Sequence, residues 1–300
     1  MSFRIDPTKP LAEEVRRIAA DQIGKAVAEL ETPAIDRHEA IHDVRKRAKK
    51  LRALLRLVRS GDESLYKAEN ARLRDLARRL SGTRDRTALI EAADGLAAAV
   101  GGEGAPLRPL REALAKRRDA ALAAEGDQDA LVAETVAELQ RAAEAIDKLS
   151  FAGSDAKIVA RGVALNHARA RRALKRARGS GDPARFHELR KRAKYQMHHL
   201  RLLRDLWPEA LKPVHDAAEA VAEDLGRDHD YAVLTAEMEA DPDAFGSHDE
   251  RDTALGLVAE HSADLRAKSL PVCARLYAEP PRLARERVRA LWRAAASPSV

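Results

Sequence analysis

The chain has a single cysteine, Cys273, among 300 residues. An internal disulfide is therefore impossible, and a reducing compartment is the natural expectation. Aromatic residues make up only 3% of the sequence, too few for the stacking platforms on which single-strand nucleic-acid binders hold bases. No apolar run approaches the length needed to cross a bilayer, so no membrane partner is expected. The opening stretch MSFRIDPTKPLAEEV has no apolar core of the kind that marks export, which predicts a cytoplasmic protein. Almost no segment alternates with the two-residue period of a strand, which leaves a sheet nothing to be built from. No serine or cysteine has the neighbours that would make it a nucleophile, and no cofactor motif stands out.

Charge is what the chain has in abundance. Charged residues reach 34%, with a net charge of +6 and a pI near 9.5. The two signs are segregated along the sequence. Between Arg161 and Arg204 there are 14 Lys or Arg against only Asp182 and Glu188. From His215 to Asp264 the balance reverses, and only Arg227 and Arg251 oppose a long series of Asp and Glu. Such separation focuses a positive field and predicts an anionic partner.

The strongest pattern is a stretch written twice. EAIHDVRKRAKKLRALLRLVR, residues 39–59, is echoed by FHELRKRAKYQMHHLRLLR, residues 186–204. At an offset of 145 the alignment pairs His42 with His187, Arg45 with Arg190, Lys46 with Lys191, Arg47 with Arg192, Lys49 with Lys194, Arg56 with Arg201 and Arg59 with Arg204. A repeat of this size points to an internal duplication. Apolar residues at Val44, Ala48, Leu51, Leu55 and Val58 fall on one helical stripe, as do Leu189, Ala193, Gln196, Leu200 and Leu203. About 100° round each helix runs a basic rail. It reads His42, Arg45, Lys49, Arg52, Arg56, Arg59 in the first copy and His187, Arg190, Lys194, Met197, Arg201, Arg204 in the second. Each rail is roughly 25 Å long at 1.5 Å per residue, which suits an extended polyanion better than a compact ligand.

The remaining segments read as amphipathic helices divided by Gly, Pro and Ser, so the class is all-α. Pro10 opens the first helix and Asp36 is placed to cap the motif helix. The sequence predicts separate helices over 208–225 and 228–240, and another over 248–269. SFAGS, residues 150–154, is the best boundary, giving halves 1–150 and 151–300. Arg84-Asp85 and Arg227-Asp228 each follow a turn-like LSGT or LG, and their aspartates are expected at helix N-termini, where the cap geometry and the dipole favour them. The alternative role for them is orienting a nearby basic side chain.

Three motifs invite enzymatic readings. His38-Glu39-Ala40-Ile41-His42 matches the HExxH of zinc hydrolases, with Asp62 or Glu63 as a third ligand. The cations that follow would repel a divalent metal, and the second copy has Pro183 where the first has His38. GGEGAP, residues 101–106, lacks the lysine and the spacing of a phosphate cradle. Glu237-Met238-Glu239-Ala240-Asp241 has the acids of a metal-triphosphate strand, but on a helix they diverge. His198 and His199 read as surface or packing residues rather than ligands. Neither a metal nor another cofactor is expected.

No helix-turn-helix, finger or basic zipper is apparent, and the rails offer phosphate contacts without base readers. HDVRKRAKKLR and HELRKRAKYQM, followed by LSGTRD and LGRDHD, resemble the CHAD domain, the conserved histidine α-helical domain, over nearly the whole chain. The resemblance implies two helical bundles related by a pseudo-twofold axis, with the motif helices lining a basic central channel. It also implies binding of inorganic polyphosphate and association with polyphosphate granules. The family pattern falls on His42, Arg45, Lys49, Arg52 and Arg56 and on His187, Arg190, Lys194 and Arg201, with Lys46 and Lys191 beside them. Met197 departs from it opposite Arg52, which predicts weaker binding at the middle of the second rail. The histidines either touch phosphate or cap the rail through core hydrogen bonds. No strand-rich segment exists to form the triphosphate-tunnel catalytic domain that many relatives carry, so a stand-alone, non-catalytic binding module is expected. The alternatives are a nonspecific nucleic-acid backbone binder and, behind it, a metal-dependent phosphohydrolase.

Overall fold

A computed structural model describes residues 3–32, 37–100, 107–124 and 126–297, apart from the side chains of 83–85. Eleven α-helices and no strand occur among the described residues. The predicted Asp36 cap, the GGEGAP loop and the side chains of Arg84 and Asp85 lie outside them.

The first bundle consists of α1 (Leu11–Glu31), α2 (Arg37–Val58), α3 (Glu63–Arg79) and α6 (Gln128–Asp147). The helix α1 packs against α2 and α6, and α3 packs against the same two, which closes the bundle. Its core includes the predicted stripe of α2: Val44, Ala48, Leu51, Leu55 and Val58 are all buried. Local chemistry fixes the helix starts. The Asp62 carboxylate accepts the Leu65 N–H at 2.9 Å, and the Asp127 carboxylate accepts the Asp129 and Ala130 N–H groups, satisfying donors that a first turn leaves unpaired.

After the loop at 150–154 come α7 (Asp155–Ala177), α8 (Pro183–Leu202), α9 (Pro208–Ala240), α10 (His248–Leu276) and α11 (Pro281–Ala296). The helix α8 lies between α7 and α9, α10 runs along α9, and α11 covers α7. The predicted stripe of α8 is buried as well, including Gln196. The pair α4 (Gly82–Ala99) and α5 (Arg108–Ala123) leaves the first bundle and packs on the end of α9 and the start of α10. Leu89, Leu96, Leu110 and Leu114 form one cluster there with Tyr231, Leu234, Met238 and Val258.

The two motif helices meet, and α2 also crosses α7. That crossing is backbone against backbone. A Cβ on Gly162 of α7 would stand 1.8 Å from the carbonyl oxygen of Leu57, so only glycine allows the approach.

Two helix boundaries differ from the sequence reading. The predicted break at 225–228 does not occur, and α9 runs unbroken for 33 residues. Glycine costs a helix interior only about 1 kcal/mol, and Leu225, Gly226 and Asp228 are buried in this stretch, so packing prevails over propensity. Asp228 is therefore mid-helix instead of at an N-terminus. It is 1% exposed and accepts a hydrogen bond from Arg266 Nε at 2.7 Å, which is the alternative role of orienting a basic side chain. Arg84 and Asp85 do lie in the first turn of α4. Likewise α10 continues past Ser269 and through Pro271 to Leu276, held by Cys273, which is fully buried. Burial pushes the Cys273 thiol up to about 12, leaving it inert.

Candidate anion-binding site

The rail of α2 turns toward α3, α7 and α8. Arg52 is half-buried and its Nε donates to Asn70 Oδ1 at 3.2 Å. Arg56 lies over two rings, 4.2 Å from the centroid of Tyr195 on α8 and 5.5 Å from that of Tyr66 on α3, while its Nε is buried without a partner. Arg59 covers Tyr66 at 4.8 Å and bonds Glu63 at 2.8 Å. From α7 comes Arg169, whose guanidinium is held below its ordinary range first by burial and then by the positive charges of Arg192, Arg59 and Arg56. The charges of Arg56, Arg59 and Arg192 thus reach Arg169 from two other segments, the end of α2 and α8. Arg192 is tied to Glu188 at 2.7 Å, and Arg59 reaches Glu63 at the rim. Positive charge gathered in this way is a setting that favours an anion.

The rail of α8 faces α9. His187 Nδ1 lies 3.1 Å from His229 Nδ1, close enough to share one proton. The side chain of Arg190 passes next to Gly226, where an added Cβ would be 3.6 Å from its Nε. Burial pulls Arg190 below its ordinary range, against the opposing charge of Asp230, and its Nε has no partner. Lys194 is lowered by burial and then by Arg190, and is opposed by Glu223 and Glu219. Beyond it, Lys50 of α2 is lowered by burial and then by Arg201.

Several predicted residues have different surroundings. Lys46 pairs with Asp43 and Lys191 with Glu188 at 2.6 Å, both one turn away on their own helices, an arrangement of surface ion pairs. Met197 is buried in the core. His42 and Arg45 are half-buried and Lys49 is exposed. His198 and His199 are packing residues whose rings burial pushes down to about 3, and His199 Nε2 donates to the Ala53 carbonyl at 3.2 Å. Of the tempting motifs, Asp62 caps α3 and Glu63 bonds Arg59. Glu237 and Asp241 both pair with Arg117. Among the described residues the trio arranged for a metal is His215, Asp216 and Glu219 on α9, where Lys212 already neutralises Asp216.

Sequence reasoning missed Arg169, Tyr66, Lys50, His229 and Gly226 as parts of these surroundings. Arg169 belonged to a visibly basic helix and Tyr195 was the one tyrosine of the second motif. Nothing in the order of residues announced that Tyr66 would meet Arg56.

The family model for the CHAD domain matches residues 13–239. Two solved structures share the fold. The CHAD domain from the plant Ricinus communis superposes with a TM-score of 0.61 at 20% identity, covering 93% of this chain and 95% of that one. PptA from Streptomyces chartreusis gives a TM-score of 0.54 at 16% identity, covering 93% and 99% respectively. Among curated proteins no match is found.

Proposed function

Because the chain belongs to the CHAD domain family, we propose that its basic rails bind inorganic polyphosphate without catalysing a reaction on it. The observation that carries the reading is the seating of Arg56 and Arg59 on Tyr66, with Arg56 also on Tyr195, within reach of the charge of Arg169. Guanidinium groups recognise phosphate by charge-assisted hydrogen bonds, and release of counterions adds to affinity. The second rail extends the track through Arg190, Lys194 and Arg201, with His42, Arg45 and Lys49 continuing the first. Lys46 and Lys191 belong to its margin, where their carboxylate partners can yield to a more highly charged polymer.

The duplication and its twofold axis are part of this proposal and have specific support. Arg56 stacks on Tyr195 while Arg201 acts on Lys50. In the repeat register 56 corresponds to 201 and 50 to 195, so the ring contact of one pair and the charge effect of the other link matching positions across the α2–α8 seam. That is what a twofold axis between the motif helices would produce, and a channel along the seam would place both rails within reach of one polymer. The halves 1–150 and 151–300 are the repeated units of this arrangement. Residence in the cytoplasm, on polyphosphate granules, follows from the same reading.

A nucleic acid would use the same cations but would need free rings for its bases. Tyr66 is buried and already covered by Arg56 and Arg59, which favours a ligand that is phosphate alone. The test is competition between long-chain polyphosphate and DNA for the protein at physiological salt, in parallel with the quadruple variant R56Q/R59Q/R190Q/K194Q. Polyphosphate should displace DNA, and the variant should lose at least tenfold in affinity with unchanged helicity, while no orthophosphate is released with or without added divalent metal. DNA outcompeting polyphosphate, or a variant binding like the parent, would overturn the proposal.

A further inference from the structure

A second basic concavity lies away from both rails. The last turns of α7 and the end of α10 enclose a cleft of about 620 Å³, lined by Arg171, Arg172, Lys175 and Arg178 on one side and by Ala274 and Tyr277 on the other. Among the described residues no carboxylate lines it.

The four cations divide into two roles. Arg171 turns toward the chain after α10: its Nη1 is shared among the carbonyl oxygens of Tyr277, of Ala278 at 2.7 Å and of Glu279 at 3.0 Å. These carbonyls belong to the C-cap of α10 and to the two residues after it, and their oxygens, left bare, would repel an anion. With those oxygens occupied by Arg171, the side chains of Arg172, Lys175 and Arg178 are exposed and form no ion pair among the described residues. They recur every three residues, so their Cα atoms span roughly 9 Å along the helix. Beneath them the floor is apolar, with Leu174 and Tyr277 buried.

The duplicated motif does not account for this feature. In the repeat register the positions matching Arg172, Lys175 and Arg178 are Val27, Leu30 and Pro33, so the cleft belongs to the second half alone.

We propose that this cleft is a separate binding site for an oligophosphate of about triphosphate length, either free or as the phosphate chain of a nucleotide. Three uncommitted cations match three phosphoryl groups in number and extent, and the apolar floor accepts the uncharged part of a nucleotide where there is one. Arg171 is a positioning residue that keeps the carbonyls of residues 277–279 from competing for the other three.

The experiment is calorimetric titration of the full chain with tripolyphosphate and, separately, with ATP. The parent is compared with R172E/K175E/R178E and with the rail variant R190Q/K194Q. The cleft variant should lose one binding site and at least tenfold in affinity for one or both short ligands, with unchanged helicity and unchanged affinity for long-chain polyphosphate. The rail variant should keep the short-ligand site. Tighter binding of ATP than of tripolyphosphate assigns the site to nucleotides, and equal or weaker binding assigns it to free oligophosphate. If the cleft variant binds both short ligands like the parent, or the parent binds neither, the site is refuted. Loss of short-ligand binding in the cleft variant with long-chain binding untouched by R190Q/K194Q would uphold the cleft and reject the second rail.

Discussion

The guanidinium of Arg56 lies 4.2 Å from the ring centroid of Tyr195, so a cation of one motif helix is seated on an aromatic ring of the other. A half-desolvated cation–π contact contributes about 1–2 kcal/mol. Tyr195→Ala should lower stability by that amount in urea unfolding and weaken polyphosphate binding, because Arg56 loses the surface that orients it. Tyr195→Phe keeps the ring face and should match the parent in both measurements.

Gly226 separates two effects that usually travel together. With the Cβ of Gly226→Ala at ordinary contact distance from Arg190, that substitution should raise stability by up to about 1 kcal/mol and leave binding intact. Gly226→Leu should keep the helix but push Arg190 aside, lowering polyphosphate affinity severalfold. Circular dichroism and a binding isotherm on the two variants check both halves of the expectation.

At the α2–α7 crossing the same substitution has the opposite sign. Gly162→Ala drives a methyl group into the Leu57 carbonyl and should cost about 3 kcal/mol or more, within the range of severe overpacking. A Cβ added to Gly24 on α1 would meet nothing within 4 Å, so Gly24→Ala should stabilise by roughly 0.5–1 kcal/mol. Thermal melts of the pair make the contrast.

Acid should weaken the fold in a defined window. His198 and His199 fall from the ordinary 6.5 to about 3 on folding, mainly because burial disfavours the charged ring. Between those values the unfolded chain binds more protons than the folded one, so stability is complete above about pH 6.5 and declines as pH falls toward 3. Each histidine adds a slope of up to about 1.4 kcal/mol per pH unit. In His199→Gln, stability measured from pH 7 to pH 4 should fall less steeply than in the parent.

Binding should respond to acid in the other direction. Burial, followed by the charges of Lys191 and Arg190, lowers His187, which Glu188 opposes, and its ring faces His229 on α9. A bound polyanion supplies the negative charge that favours protonation, so affinity should increase as pH falls from 7.5 to 6. In His187→Asn that increase should shrink, as read from polyphosphate titrations at the two pH values.

The helices and their buried faces were legible because a 3.6-residue period leaves its mark on every turn, and the stripes from Val44 to Val58 and from Leu189 to Leu203 are buried as read. The family and all-α class were legible from the doubled HDVRKRAKKLR and HELRKRAKYQM. Partnership was not. Nothing in the repeat marked Lys46 as the partner of Asp43 or Lys191 as that of Glu188. Gly226 looked like a break because propensity is local, whereas its tolerance comes from packing between α8, α9 and α10. Tyr66 joins Arg56 from the next helix and Arg169 acts from one more than a hundred residues on, and no periodicity encodes either encounter.

The pair α4 and α5 belongs by sequence to the first 150 residues, yet its leucines are covered by α9 and α10. Severing the chain near residue 150 would leave each fragment with an uncovered greasy flank that only the other can shield. The two copies of the motif are thereby bound to a common fate: neither can drift, unfold or be exchanged for a foreign counterpart without disturbing the other.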